Sequence, residues 1–435
     1  MFRICFTFLA LSSIVPPLHA VPADPSSSVA SDPSTLAVPS REQARCRELV
    51  QQMGSEQFTE REQAQQALAK MGRVARQALL EGLTRDPNPE IRTRCAALLP
   101  RADALDLKAR LEVFLADVDG KYEHDLPGWN QFRATVSNEW KLLGYPVWSD
   151  RTLEKAARGV FVELIATPIN KNLVMATAGP AGELSAIAIG RRQELVIDRM
   201  GRGPGGFGGN RMNVAVEGRV PTPDDIAALL FAESLAPQST ARVPRQVSIG
   251  PLVMSERFAA ILRENDDKGR VYRAIVVAWL ESRVNPIDLY QGMSVANQLD
   301  MTDQAVRMAA RLFTTPGTPV QYRSSAALSL GRLGAKEHIP LLEKAFDDTG
   351  VMTTPGRGFG GNVGVPGGRE IQVRDVALAF SIQWAGQSPE DYGFIDQVKS
   401  GAGATYSYLR FYLPEDKRDA AFDQWKEWWS KNQGK

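Results

Sequence analysis

Two glycine-rich stretches carry the spacing G-x-G-x-x-G, at Gly201, Gly203 and Gly206 and again at Gly356, Gly358 and Gly361. Such glycines let a backbone close around a pyrophosphate, but only where a buried strand leads in and a helix starts beyond. Neither stretch has that setting. The first runs on through Phe207 to Asn210 and then to Met212, Val214 and Val216, an alternation that suits a strand. The second follows Thr353-Thr354-Pro355, with no helical pattern at its end. Neither contains the lysine of a phosphate-binding loop. Both therefore read as flexible loops or hairpins. No acidic residue lies between Arg199 and Val216, so the loop arginines either keep a mobile segment soluble or meet an acidic partner. On the second reading Arg202, Phe207, Arg211, Arg357 and Phe359 are the partner-binding candidates.

Catalytic and metal chemistry has little to work with. Beyond the N-terminal segment only His124 and His338 remain, which rules out HExxH and any multi-histidine metal site. Tyr122-Glu123-His124-Asp125 bunches donors, but Leu126-Pro127-Gly128 follows, so a solvated turn is expected. His338 falls in the first turn of a helix beside Ile339 and Pro340 and reads as structural. G-x-S-x-G is absent. Carboxylate pairs are always available among 50 acidic residues, and nothing singles one out. Trp425, Trp428 and Trp429 could form a carbohydrate or peptide platform. Their spacing with Phe422 better suits an apolar stripe that closes the end of a helical stack. No catalytic residue, cofactor or metal site is therefore expected.

The elements that must position these groups come from an internal repeat. Arg61–Glu81 and Arg323–Glu343 overlay without a gap, with Arg61/Arg323, Ala64/Ala326, Leu68/Leu330, Gly72/Gly334, Leu79/Leu341, Leu80/Leu342 and Glu81/Glu343 coinciding; Asp86/Asp348 follow. Ala64, Leu68 and Met71 mark one helix face, Gly72 ends it as a glycine free to take positive φ, and Val74, Ala78, Leu79 and Leu83 mark a second helix. Ile91, Cys95, Leu98 and Leu99 begin a third after Asp86-Pro87-Asn88-Pro89, and another is expected beyond Pro100. Thr59 with Glu62 has capping-box spacing. This unit resembles the HEAT-type helical repeat, and the resemblance implies stacked helical hairpins and protein–protein binding along an extended surface. In the second copy Val373 follows Asp348 by 25 positions, where Ile91 follows Asp86 by 5, a difference of 20 that contains Gly356 to Asn362. Solenoid insertions emerge on one face, often the binding face.

Further helices are expected at 41–53, across Leu107–Val118, after Ser149 or Asp150, between Pro168 and Gly201 with breaks at Gly179-Pro180 and Gly190, from Pro223, near 252–264, 270–283, 287–299 and 303–313, and from about Glu415 to Lys431. Asp125–Gly144 reads as an aromatic connector.

The totals set the class. Hydrophobic content of 43% and charge of 23% suit a soluble globular chain, and the net charge of 51 − 50 = +1 supplies no field for nucleic acid or membrane. Arg3, the apolar run Ile4–Val15 and Ala20 or Ala23 read as an export signal too short for a permanent span. Cys46 and Cys95 then remain, either paired in an oxidising compartment or simply buried.

The expected architecture is an all-α, HEAT-like solenoid of stacked helical hairpins with two glycine-rich loops. Its parts would be a signal peptide (1–23), a disordered linker (24–40), an N-terminal repeat block (41–118), a helical connector with a glycine-rich loop (119–220) and a C-terminal block (221–435) with an insertion at 349–370. The expected role is a non-catalytic scaffold in the periplasm or outside the cell that binds a protein partner. An exported enzyme using carboxylates on a helical scaffold is the alternative.

Overall fold

Helical periodicity becomes helices nearly throughout. A computed structural model describes residues 31–142, 151–200, 220–237, 248–353, 370–396 and 410–432. The fold is all-α in class, with two short antiparallel strand pairs among the described residues. The chain divides into two compact units between Asp117 and Val118.

The first unit holds α1 (Ser40–Gln52), α2 (Phe58–Met71), α3 (Arg76–Arg85) and α4 (Pro89–Ala116). Cys46, Val50, Ala64, Leu68, Leu79, Ile91 and Cys95 share one core, and both cysteines are unpaired thiols. Burial raises both thiol pKa values, Cys95 to about 11, which keeps them protonated and unreactive. Part of the segment expected to be a loose linker is ordered: Pro33–Leu36 forms a 3₁₀ turn capped by Asp32, and Arg73 Nη1 donates to Leu36 O at 2.8 Å.

Two further expectations fail in this unit. The helix starting at Pro89 does not end at Pro100 but runs 28 residues through it. Proline costs the bond to the carbonyl four residues back, here that of Ala96, and both residues are exposed, so water can take the place of the missing N–H. Thr59 is not a cap either. Ser55 organises the entry instead: its hydroxyl accepts from Gln57 N at 3.1 Å and donates to Glu60 at 2.6 Å, and α2 begins at Phe58.

The second unit begins with α5 (Trp129–Leu142), so the aromatic connector is a helix. Its Trp129 and Phe132 pack on Phe161 of α6 (Arg151–Leu164), and Phe132 also meets Phe231. His124, expected in a solvated turn, is buried. Next come α7 (Pro168–Ala176), α8 (Ala181–Met200), which runs unbroken through Gly190, and α9 (Pro223–Leu235). The entry to α9 has the expected acidic first turn, with Thr222 as N-cap and Asp225 closing a capping box. Every residue of α9 from Asp225 to Glu233 is buried, as is the stretch Ala274–Leu280 of α12 (Asp267–Glu281), which α9 packs against. Between them lie α10 (Gly250–Val253) and α11 (Glu256–Arg263).

The rest of this unit contains the second repeat copy. It runs through α13 (Pro286–Gln298), α14 (Thr302–Thr314), α15 (Val320–Leu333) and α16 (Ile339–Glu343). Strands β1 (Val351–Thr353) and β2 (Ile371–Gln372) follow, paired Val351 to Gln372 and Thr353 to Ile371, so the insertion rises from a two-stranded stem. Then come α17 (Val373–Trp384), the pair β3 (Ile395–Asp396) and β4 (Phe411–Tyr412), and α18 (Arg418–Asn432). Phe422 and Trp425 of α18 are buried with Ile339, Leu378 and Ile382, and Trp428 and Trp429 pack half-buried beside them. The tryptophan stripe thus closes the end of the second copy.

The repeat is wider in the structure than in the letters. Adding 262 to α1 and α2 gives α14 and α15, residue for residue at both ends. The second helices are less exact: α3 begins at Arg76 but α16 at Ile339, one position late. Accordingly Leu79 is buried in one copy and Leu342, not Leu341, in the other. The slip is recovered at the turn. Asp86 Oδ1 accepts from Asn88 N at 2.9 Å, and Asp348 Oδ1 accepts from Gly350 N at 3.0 Å, the same side-chain turn twice. Gly72 takes the expected positive φ of 57°, whereas Gly334 does not. Gly334 is constrained by space instead, since a Cβ there would lie 2.6 Å from the Trp384 ring.

Candidate functional site

All five partner-binding candidates, Arg202, Phe207, Arg211, Arg357 and Phe359, lie outside the described residues, as do both glycine stretches, the alternation at Met212–Val216 and the export signal. The stem β1–β2 fixes the two described ends that flank one of those stretches: Thr353 ends β1, which packs beside α15, and Glu370 leads through β2 into α17.

The described residues offer a different site, in the first unit. A groove of about 600 Å³ lies between α1, α3 and the α3–α4 turn. Val50, Ala78, Gly82 and Ile91 contribute apolar surface, and Arg47, Gln51, Glu81, Arg85, Asp86 and Asn88 contribute polar side chains. Helix periodicity explains the division. On α1, Val50 turns to the core while Arg47 and Gln51 sit on the solvent side; on α3, Ala78 and Gly82 face inward while Glu81 and Arg85 lie nearer the surface.

Two links cross this site. Arg47 holds Glu81 with both prongs of its guanidinium, at 2.7 and 3.2 Å. The Arg47 hydrogen bond, helped by Gln77, lowers the Glu81 carboxyl pKa to about 2. Gln51 Nε2 donates to Asp86 Oδ2 at 2.8 Å, joining α1 to the turn. Arg85 is exposed and makes no ion pair among the described residues. The surface thus mixes both charge signs and carboxamides around an apolar base.

The second unit concentrates charge in its core. Arg192 of α8 donates to Glu233 of α9 from Nε at 2.6 Å and from Nη2, and Trp279 Nε1 donates to the same carboxylate at 2.8 Å. Arg283 donates to the Glu233 carbonyl at 2.8 Å and lies over the Trp279 ring. Burial drives the Arg283 pKa down to about 10, against the pull of Glu233 and Asp288. The neighbouring Arg191 reaches Asp225 at 2.9 Å, so adjacent arginines of α8 grip both ends of α9. Each acid here is paired and sealed from solvent, which makes this centre a structural clamp. Among the described residues no group of three or more His, Cys, Asp and Glu side chains could hold a metal, and no helix is long and apolar enough to cross a membrane.

Neither the groove nor the clamp is visible in the letters. The groove needs α1 beside α3, and the clamp joins separate helices through residues 34 to 50 positions apart. The nearest signals were Arg191-Arg192 within an otherwise amphipathic helix and Glu233 within an apolar one. Comparison with protein-family models, with curated proteins and with solved structures finds no match.

Proposed function

We propose that the protein is a non-catalytic protein–protein interaction scaffold, built as a HEAT-like α-solenoid and exported to the periplasm or the cell exterior. The observation that carries this reading is the helical unit used twice, whose first copy leaves an open, mixed-charge groove at its surface. Repeat units that bury an apolar face only against neighbours leave extended surfaces for partners. Within the groove Arg47 keeps Glu81 ionised through the neutral range, so it has no proton to give as a general acid. No particular observation favours the carboxylate-enzyme alternative. The glycine-rich stretches, with Arg202, Phe207, Arg211, Arg357 and Phe359, are the second contact region in this proposal, and β1–β2 is the platform for one of them. Capture of envelope proteins by the mature chain, run beside Arg85→Glu and a deletion of 354–369, tests the proposal. Specific capture that falls with either variant supports it, and no specific capture refutes it.

A further inference from the structure

The two copies treat one arginine differently. Arg61 and Arg323 occupy the same place in α2 and α15, and each uses Nη1 to hold the same loop carbonyl, Glu56 O at 3.1 Å in the first copy and Thr318 O in the second. In the second copy Arg323 Nε continues to Asp348 Oδ2 at 2.5 Å, with Nη2 on Oδ1 at 3.0 Å. In the first copy Arg61 Nε is buried and has no hydrogen-bond partner. Its counterpart acid, Asp86, makes the same turn bond as Asp348 but gives its other oxygen to Gln51. The position of Gln51 is held by Phe313 in the second copy, which has no amide to compete. A buried donor without an acceptor is costly, so Arg61 Nε and Asp86 form an unmade bond whose made form stands elsewhere in this chain.

We propose that the Gln51–Asp86 hydrogen bond is a strap across the groove, and that Arg61 is the second partner to which Asp86 transfers when the strap opens. Gln51 stands on α1 and Asp86 on the α3–α4 turn, so their bond ties the two walls of the groove together. Release would leave neither the carboxylate nor Arg61 Nε unpaired, because the arrangement of the second copy becomes available. Opening frees the Gln51 amide for whatever enters the groove. The inference concerns the free protein and stands whether or not the proposed scaffold role is correct.

A double-mutant cycle on the full chain tests it. Gln51→Ala removes the strap from an exposed position, and Arg61→Lys keeps a donor for the loop carbonyls but has no Nε. Gln51→Ala should leave the urea midpoint nearly unchanged in the natural background and lower it clearly in the Arg61→Lys background. In Gln51→Ala alone, the Arg61 Nε–H signal in a chain with ¹⁵N-labelled arginine should shift and exchange more slowly with water. That second measurement decides the matter if Arg61→Lys does not fold. An equal fall in midpoint in both backgrounds, or an unchanged Arg61 signal, overturns the proposal.

Discussion

The two repeat copies share their first two helices to the residue, yet a face that one leaves open to solvent is buried in the other. In α1 the buried positions are Cys46 and Val50; their counterparts Met308 and Leu312 are buried in α14 as well. The other faces diverge. Gln43, Ala44 and Arg47 of α1 are at least partly open to solvent, where α14 has Ala305, Val306 and Ala309, all buried, and packs against α13. The same pair of helices therefore presents one apolar face in the first copy and two in the second, through the side chains at those positions.

The largest test of this equivalence is in the shared core. Leu68 and Leu330 occupy one position and are both buried, so Leu68→Ala and Leu330→Ala should each cost about 2–5 kcal/mol by denaturant unfolding. A loss in only one copy would break the equivalence. The next test concerns the third helix. Gly331 lets the Phe380 ring of α17 lie against α15, since a Cβ there would fall 2.1 Å from the ring; the first copy has Ala69 at that position. Gly331→Ala should therefore destabilise by about 1–3 kcal/mol through overpacking, despite the better helix propensity of alanine. A gain in stability would show that α17 can stand off from α15.

These comparisons also explain how much was legible beforehand. Ala64, Leu68 and their partners repeat at helical spacing because both copies bury that face, so α2, α15 and the Asp86/Asp348 turn could be read directly. The match of α1 to α14 could not, because Gln43, Arg47 and Gln51 in one stand where the other has Ala305, Ala309 and Phe313. Periodicity also says nothing of the one-residue slip before α16, which depends on how Ile339 and Leu342 reach the core. The stem β1–β2 is two or three residues per strand, held by pairing across the insertion, too short for an alternation signal. The groove was hidden for a similar reason: its walls come from α1 and α3, which the letters do not place together.

The smallest expected effect is electrostatic and separates the copies by sign. Glu81 and Glu343 coincide in the overlay, but Arg47 lowers the Glu81 pKa whereas burial raises that of Glu343, against a hydrogen bond from Trp425. The depressed pKa of Glu81 gives stability that is present above its unfolded value of 4.5 and lost as pH falls toward about 2. The raised pKa of Glu343 acts oppositely, favouring the fold below its unfolded value and losing that contribution as pH rises through the folded one. Carboxyl ¹³C titration should place Glu81 near 2 and Glu343 above 4.5. Two midpoints at the same pH would contradict the assigned environments.

In the proposed reading the first copy offers its groove to a partner while the second carries the inserted segment on a stem. Quantitative capture of envelope proteins by a chain beginning at residue 24 tests this, with urea midpoints as the control for folding. Arg85 is exposed and makes no ion pair among the described residues, and positions 354–369 fall between the paired strands β1 and β2, so the urea midpoints separate any cost to the helices from a loss of capture. A set of proteins should be retained by the natural chain and depleted by Arg85→Glu, with a further loss when the deletion is added. Retention of the same proteins at the same level by all the variants would contradict it.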